Sequence, residues 1–491
     1  MASIHFIFSV LWIIISAFSY GYHISALNGA QDVITCRSNS SLPSDQTVYP
    51  SLSLLTPCIA MSDNRFGFLT ASYTIGGFLG SVYASKLARS RGKRNTLLLS
   101  AISIGIGSLL MSLSNFFSMI LIGRTIIGIG CGINTVLVPI YLSEISPSQI
   151  RGSVGVMNQL AIVFGIFASQ LVSLPLARPF AWRWIFIISA AFSTLQLLTS
   201  PLVLNQKDQP SSSHSDHPAH HPLDRESDSN PVIHHSTHDD DNDNDNDFER
   251  ETLLNPANTI HQPISNPAHQ QLPQNNQSTI HPLSVSQLLL KHWKQDPALA
   301  NGLKVLLITQ LAQQLSGINA VLYYSTSIMK SVLPTQAIYI SLFITAINVL
   351  MTFPAIFLVD KLGRKCLLLL SAGSMALTSL VLALSINYEI AQLSSLAIVL
   401  FVASFSIGLG PIPFVILSEL VPLYAVSAAG SLGLAVNWAS NFLVGLVFLP
   451  LRNLMASPDG DGDGNVFFIF TILGCLSTFL IHQNYHHHHH Q

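Results

Sequence analysis

Twelve apolar runs punctuate the chain, each about twenty residues long, which is the length an α-helix needs to cross the hydrocarbon core of a bilayer. They begin near Ile4, Phe66, Thr96, Phe117, Gly152, Trp182, Gly302, Ala337, Cys366, Leu393, Val426 and Asn465. Apolar residues make up 49% of the 491 and charged residues only 9%, more apolar surface than one soluble core could bury. The expectation is therefore an all-α integral membrane protein. The first run starts almost at Met1 with no Lys or Arg before it, so it lacks the charged opening of a cleaved signal peptide and reads as a retained helix.

Two halves echo one another. Arg91-Gly92-Lys93-Arg94 returns as Leu362-Gly363-Arg364-Lys365, 271 residues later, and Ser143-Glu144-Ile-Ser-Pro147 returns as Ser418-Glu419-Leu-Val-Pro422, 275 residues later. Two motif pairs at nearly one offset imply two six-helix repeats around a central site. The expected boundaries are a six-helix bundle at 1–204, a cytosolic linker at 205–296, a second bundle at 297–482 and a His-rich tail at 483–491. In the short loops nine Lys and Arg fall on one side against six on the other, which puts both termini in the cytosol.

The linker concentrates the acidity. It and its edge, 205–300, carry 14 acids and 5 bases, although the whole chain is only -2. Ser, Asn, Gln, Pro, His and Asp dominate it, with too few apolar residues to offset the entropy of ordering it, so disorder is expected. Its eleven histidines and the acidic run 239–247 suggest weak zinc binding or plain low complexity, since nothing spaces them as a closed site. Glu249, Leu253 and Leu254 have the form of an acidic dileucine sorting signal that a cytosolic adaptor would read. Asp459-Gly-Asp461-Gly-Asp463-Gly464 mimics a calcium loop, but the twelfth position is Phe470 where a bidentate Glu is needed, so it reads as a turn. Nothing implies a nucleic-acid partner, a metal centre or a cofactor.

On the non-cytosolic side, Cys36 and Cys58 share one loop, as a bridge or as two free thiols. The same loop holds the glycosylation sequon Asn39-Ser-Ser41. A second sequon, at Asn276, falls on the cytosolic side and should be silent.

Gln310-Leu-Ala-Gln313-Gln314-Leu-Ser-Gly317-Ile-Asn319 places four amides inside a membrane-length apolar run. A buried amide without a partner costs roughly 2 to 7 kcal/mol, so several together need one another, trapped water or a hydroxyl-rich ligand. On a helical wheel Gln310, Gln314 and Gly317 align, but a straight helix turns Asn319 away, so convergence requires a break near Gly317. Gln159 and Gln170 share a face in the fifth helix, as do Asn437, Ser440 and Asn441 in the eleventh. Amide bonds that merely hold helices together account for any one of these residues; the set favours a polar chamber.

Several strings resemble the sugar porter family of the major facilitator superfamily, especially hexose transporters of the facilitative and fungal type. They are Gly123-Arg124-Thr-Ile-Ile-Gly128, Tyr141-Leu-Ser-Glu144-Ile-Ser-Pro147 with Arg151-Gly152, Asn158-Gln159-Leu, the Gln313 to Asn319 string, Asp360-Lys-Leu-Gly363-Arg364-Lys365, Gly410-Pro411-Ile-Pro413, and Asn437-Trp438. The resemblance implies a twelve-helix, non-enzymatic secondary transporter whose site comprises Gln159, Gln313, Gln314, Asn319, Asn348 and Asn437. Phe414 stands where the family usually has Trp. It keeps an apolar plane for a sugar ring and loses the indole N–H.

By the same resemblance, Glu144, Arg151, Asp360, Arg364 and Glu419 are gating charges. Glu144 and Arg151, seven apart, are expected to pair across two helical turns. Opposite Glu419 the family's Arg is Val426, which implies a weakened second latch. Ser406 replaces a family acid, and Ser200-Pro-Leu-Val-Leu204 replaces a Pro-Glu-Ser-Pro-Arg signature. His23 occupies the position where proton-coupled members carry Asp and facilitative ones Asn, with Arg124 expected nearby. It is either a proton site or a neutral, hydrogen-bonded wall residue. The implied activity is alternating-access movement of a monosaccharide or polyol, possible as symport, in a vacuolar, endosomal or plasma membrane. A non-transporting sugar sensor and a metal transporter are the alternatives.

Overall fold

The computed structural model describes residues 4–37, 55–147, 150–203, 284–290, 296–330, 332–456 and 462–485. Asn39, the acidic run 239–247, Glu249, Leu253, Leu254, Asn276, the first residues of the Asp459 turn and the histidines 486–490 lie outside them, as does the side chain of Asp360. Among the described residues every regular element is helical. The first half comprises α1 (Ile4–Ser25), α2 (Asp63–Arg91), α3 (Lys93–Ser112), α4 (Phe117–Ile145), α5 (Arg151–Leu176) and α6 (Arg183–Thr199). The second comprises α7 in two pieces (Pro297–Leu315 and Ile318–Lys330), α8 (Ala337–Lys361), α9 (Arg364–Asn387), α10 (Ala391–Ile407, followed by the turn Ile412–Val415), α11 (Val426–Met455) and α12 (Val466–Asn484).

Eleven of these segments are long and apolar enough to cross a membrane. The exception, α2, has the length but not the apolarity, because Thr70, Ser72, Tyr73, Thr74, Ser81 and Ser85 are all buried against its neighbours. Its hydroxyls are satisfied locally: Thr70 donates to the Phe66 carbonyl at 3.1 Å and Thr74 to that of Ala71 at 2.6 Å. A polar helix is tolerable at membrane depth when other helices shield it, and α2 packs between α4 and α11.

Helix ends follow local chemistry. Asp296 caps α7, accepting from the backbone N–H of Ala298 and Leu299, with Pro297 in the first turn where its missing N–H costs nothing. The Leu299 N–H, then the Tyr424 hydroxyl, hold the Asp296 carboxyl below its ordinary range. Gly92 and Gly363, equivalent in the two repeats, join α2 to α3 and α8 to α9 with φ of 80° and 81°. A Cβ at either would meet open space, so backbone conformation rather than crowding requires glycine there.

The expected linker is not featureless at its end. Val285–Leu290 is helical, with the Ser284 hydroxyl accepting from the Gln287 N–H and the Gln287 side chain accepting from the Ser284 N–H, a reciprocal cap. Leu288 is buried, and this helix packs on α11. At the opposite end of the bundle Cys36 and Cys58 are bridged, and Ile59 donates its N–H to the Ile34 carbonyl at 2.8 Å.

Candidate functional site

α7 breaks where the amide geometry requires. Gly317 has φ of 88°, the helix stops at Leu315 and restarts at Ile318, and a Cβ at Gly317 would sit 2.8 Å from the Phe470 ring. The break turns Asn319 back toward the first piece, where its amide donates to Gln314 Oε1. Gln314 Nε2 donates to Asn437 Oδ1 on α11 at 2.9 Å. Asn437 Nδ2 in turn reaches Gln310 Oε1 and Gln313 Oε1, each at 2.8 Å. Gln313 Nε2 donates to the carbonyls of Leu409 and Gly410 at 2.8 and 3.1 Å, and Gln310 Nε2 to that of Pro413 at 3.3 Å. Five side chains from two helices thus form one network anchored on the Gly-Pro-Ile-Pro segment.

Gln159 approaches this network from the other half. Its Nε2 lies 3.2 Å from the point a Cβ on Gly410 would occupy, so Gln159 and Gln313 both approach the same glycine. Every one of these amide residues is 4% exposed or less, which means a solute reaching them exchanges its hydrogen bonds for existing ones. Phe414 is buried beside Pro413 in the turn after α10. Asn348 does not hydrogen-bond to the cluster. Its Oδ1 accepts from Ser406 at 2.7 Å, and its Nδ2 meets no acceptor among the described residues. Gln170 diverges too: its Oε1 lies beside Gly29, away from Gln159. Ser440 bonds the Val436 carbonyl of its own helix, whereas Asn441 accepts from the Tyr323 hydroxyl at 3.1 Å.

An aromatic wall between the halves escaped the sequence reading. Trp438 donates its indole N–H to Thr135 Oγ1 at 3.1 Å and stands edge-on to Tyr20 and Tyr73, with ring centroids 5.5 and 5.4 Å away. Asn437-Trp438 marked one partner; Tyr20 and Tyr73 carry no local signal. Behind Tyr73 lies Arg124, fully buried, its guanidinium carbon 4.3 Å from the ring centroid and its three nitrogens without acceptors among the described residues. His23 turns into the first half: Nε2 is 2.6 Å from Ser189 Oγ on α6 and 3.4 Å from Ser108 Oγ on α3.

The gating charges require one correction. Glu144 and Arg151 do not share a helix, because α4 ends at Ile145 and Arg151 opens α5, so a two-turn spacing has no meaning there. Glu144 pairs with Lys93, while Arg151 makes no ion pair among the described residues. In the second half Arg364 grips Glu419 with two nitrogens, Nε at 3.2 Å and Nη2 at 3.0 Å, so an ion pair stands there with Val426 in place of the Arg. The two ion pairs repeat the internal offsets of the sequence, Lys93 with Arg364 and Glu144 with Glu419. Tyr485 lies beside the second pair, and burial, then the Glu419 charge, push its phenol up to about 12. Among the described residues no cluster of His, Cys, Asp and Glu could hold a metal ion.

A family model described as "Sugar (and other) transporter" matches residues 9–205 and 265–487. The chain belongs to the sugar transporter family. It is thus a multi-pass membrane transporter of the major facilitator fold, and the family is not one of enzymes. This transporter is 30% identical to the rabbit facilitated glucose transporter member 3 over 90% of its own length and 83% of the relative's. It is 28% identical to a probable metabolite transport protein of Saccharomyces cerevisiae over 98% and 92%. A yeast protein named for vacuolar protein sorting is also 28% identical, over 95% and 90%. In fold it resembles a solved proton:xylose symporter with a TM-score of 0.66 at 20% identity, covering 97% of this chain and 95% of that one.

Proposed function

We propose that this transporter moves a neutral monosaccharide or related polyol through the membrane by alternating access, the two halves rocking about the amide network. The observation that carries this reading is the single hydrogen-bonded set Gln310, Gln313, Gln314, Asn319 and Asn437, faced by Gln159 from the other half. Neutral amides can trade bonds with one another for bonds with sugar hydroxyls at a net change of about 0.5–1.5 kcal/mol each, so binding stays reversible. Phe414 would offer an apolar face to the sugar ring. Passive movement is favoured over symport, because His23 is engaged with serines inside one half and Arg124 has no carboxylate partner among the described residues.

The bridged Cys36–Cys58 end would face the lumen or the exterior, since disulfides persist in oxidising compartments. Both termini would then be cytosolic, with Asn39 open to glycosylation. The similarity to a relative named for vacuolar sorting supports an internal membrane, to which an adaptor reading Glu249, Leu253 and Leu254 would route the chain.

The test is flux of labelled hexoses, pentoses and polyols into proteoliposomes containing the purified full chain. Saturable, stereoselective uptake is expected. Saturable binding without flux would replace transport with sensing, and no binding of any polyol would overturn both.

A further inference from the structure

The halves also touch at the disulfide-bearing end, through groups that the amide site does not involve. Asn28 Nδ2, just past α1, donates to Ser325 Oγ on the second piece of α7 at 3.0 Å, and both residues are buried. One helical turn further out, Asp32 meets Lys330 in an ion pair between the two halves. Asp32 stands on a stiffened platform, the short helix Gln31–Ile34. Its carbonyl accepts from the Arg37 N–H at 2.8 Å, Arg37 pairs with Asp63 at the start of α2, and the Cys36–Cys58 bridge ties the platform to the segment at Ile59. Lys330 is the last residue of α7. Asp32 and Lys330 both line a cavity of about 360 Å³, which shares Gln31, Arg37 and Ser327 with a neighbouring cavity of about 660 Å³, so the pair stands at the wall of a polar vestibule between the halves.

We propose that Asp32 and Lys330 are the bar across this vestibule, an ion pair that must break each time the halves part at the disulfide end and re-form when they close. The inference rests on the alternating-access reading. Rocking that opens the vestibule separates residues held by different halves, and this pair is held by both. The disulfide gives the bar its geometry by fixing where Asp32 stands relative to α2. Both side chains remain more than two-fifths exposed, so water screens the attraction and the bar biases the equilibrium rather than bolting it. An exposed pair of this kind shifts a two-state equilibrium about two- to five-fold.

The experiment places a reporter thiol in the vestibule with Ser327→Cys, in a full-length background with Cys366→Ser and Cys475→Ser, and measures its labelling by a membrane-impermeant maleimide without substrate. Asp32→Lys and Lys330→Asp should each speed labelling about two- to five-fold, and the exchanged pair, Asp32→Lys with Lys330→Asp, should return it to the parent rate. The neutral variants Asp32→Asn and Lys330→Gln serve if a reversal fails to fold; each should speed labelling and remove its acceleration by added salt. Unchanged labelling in the single variants, or an exchanged pair that stays fast, would overturn the bar. Because no sugar is present, a failure of hexose flux would strike the proposed function without touching this result.

Discussion

In the second half Gln310, Gln313, Gln314, Asn319 and Asn437 satisfy one another, whereas in the first half Arg124, Asn158 and Gln170 bury nitrogens that no described group accepts from. The contrast separates two ways of keeping polar atoms in a membrane. A mutual network is stable without solute yet convertible, because each of its bonds has the strength of a bond to a hydroxyl. An isolated guanidinium against Tyr73 is a fixed charge whose environment must be kept constant. On the proposed reading, the second half supplies most of the solute contacts, and the first half supplies Gln159 and an aromatic wall that slides against Trp438.

The largest expected effect comes from straightening α7, since the network exists only because Asn319 is turned back. Gly317→Ala forces a Cβ into a conformation with φ of 88° and into the Phe470 ring 2.8 Å away. Left-handed backbone strain and overpacking together cost about 2–5 kcal/mol. Thermal unfolding of the purified variant should show that loss, with solute binding lost in the fraction that remains folded. A variant of unchanged stability and affinity would mean that the network does not depend on the break.

Next in size is the difference between the halves themselves. Asn437→Ala strips a partner from Gln310, Gln313 and Gln314 at once, and leaving buried amides unpaired costs about 1–3 kcal/mol, a rise of about five-fold to over a hundred-fold in half-saturating solute. Gln159→Ala removes one approach to Gly410 and should raise it about three-fold. Equal losses, measured as equilibrium binding of labelled hexose, would erase the asymmetry.

Much of this architecture is legible in the residues. Apolar runs give the spans, two motif pairs give the repeat, and the helical wheel demands a break at Gly317 because Asn319 otherwise points away. The polar α2 passes for a span only because Phe66 begins an apolar stretch; its buried Ser and Thr are explained by neighbours the chain order does not reveal. Pairings are the least legible. Glu144 and Arg151 look like partners at helical spacing, yet a helix end falls between them and Lys93, 51 residues earlier, takes the carboxylate. Asn348 belongs by residue type with the other amides, yet Ser406 on α10 claims it. Local periodicity reports which face a side chain occupies; what stands opposite is set by packing between helices.

The smallest expected effect is at His23, and it sharpens the view of the first half as electrostatically fixed. A proton-coupling residue must change charge as the halves rock, and it needs either water or a compensating carboxylate to do so. His23 has Ser189 and Ser108 on its Nε2 and is fully buried, with Tyr22 beside it on α1 and Arg124 on α4 as the charge in electrostatic range. Protonating it would place a second buried cation near a guanidinium that has no acceptor among the described residues. Wild type and His23→Asn should therefore give the same pH profile of hexose uptake between about pH 5 and 8, the range over which a free imidazole titrates. A profile that flattens in His23→Asn would make the first half a proton carrier and reverse the assignment of passive movement.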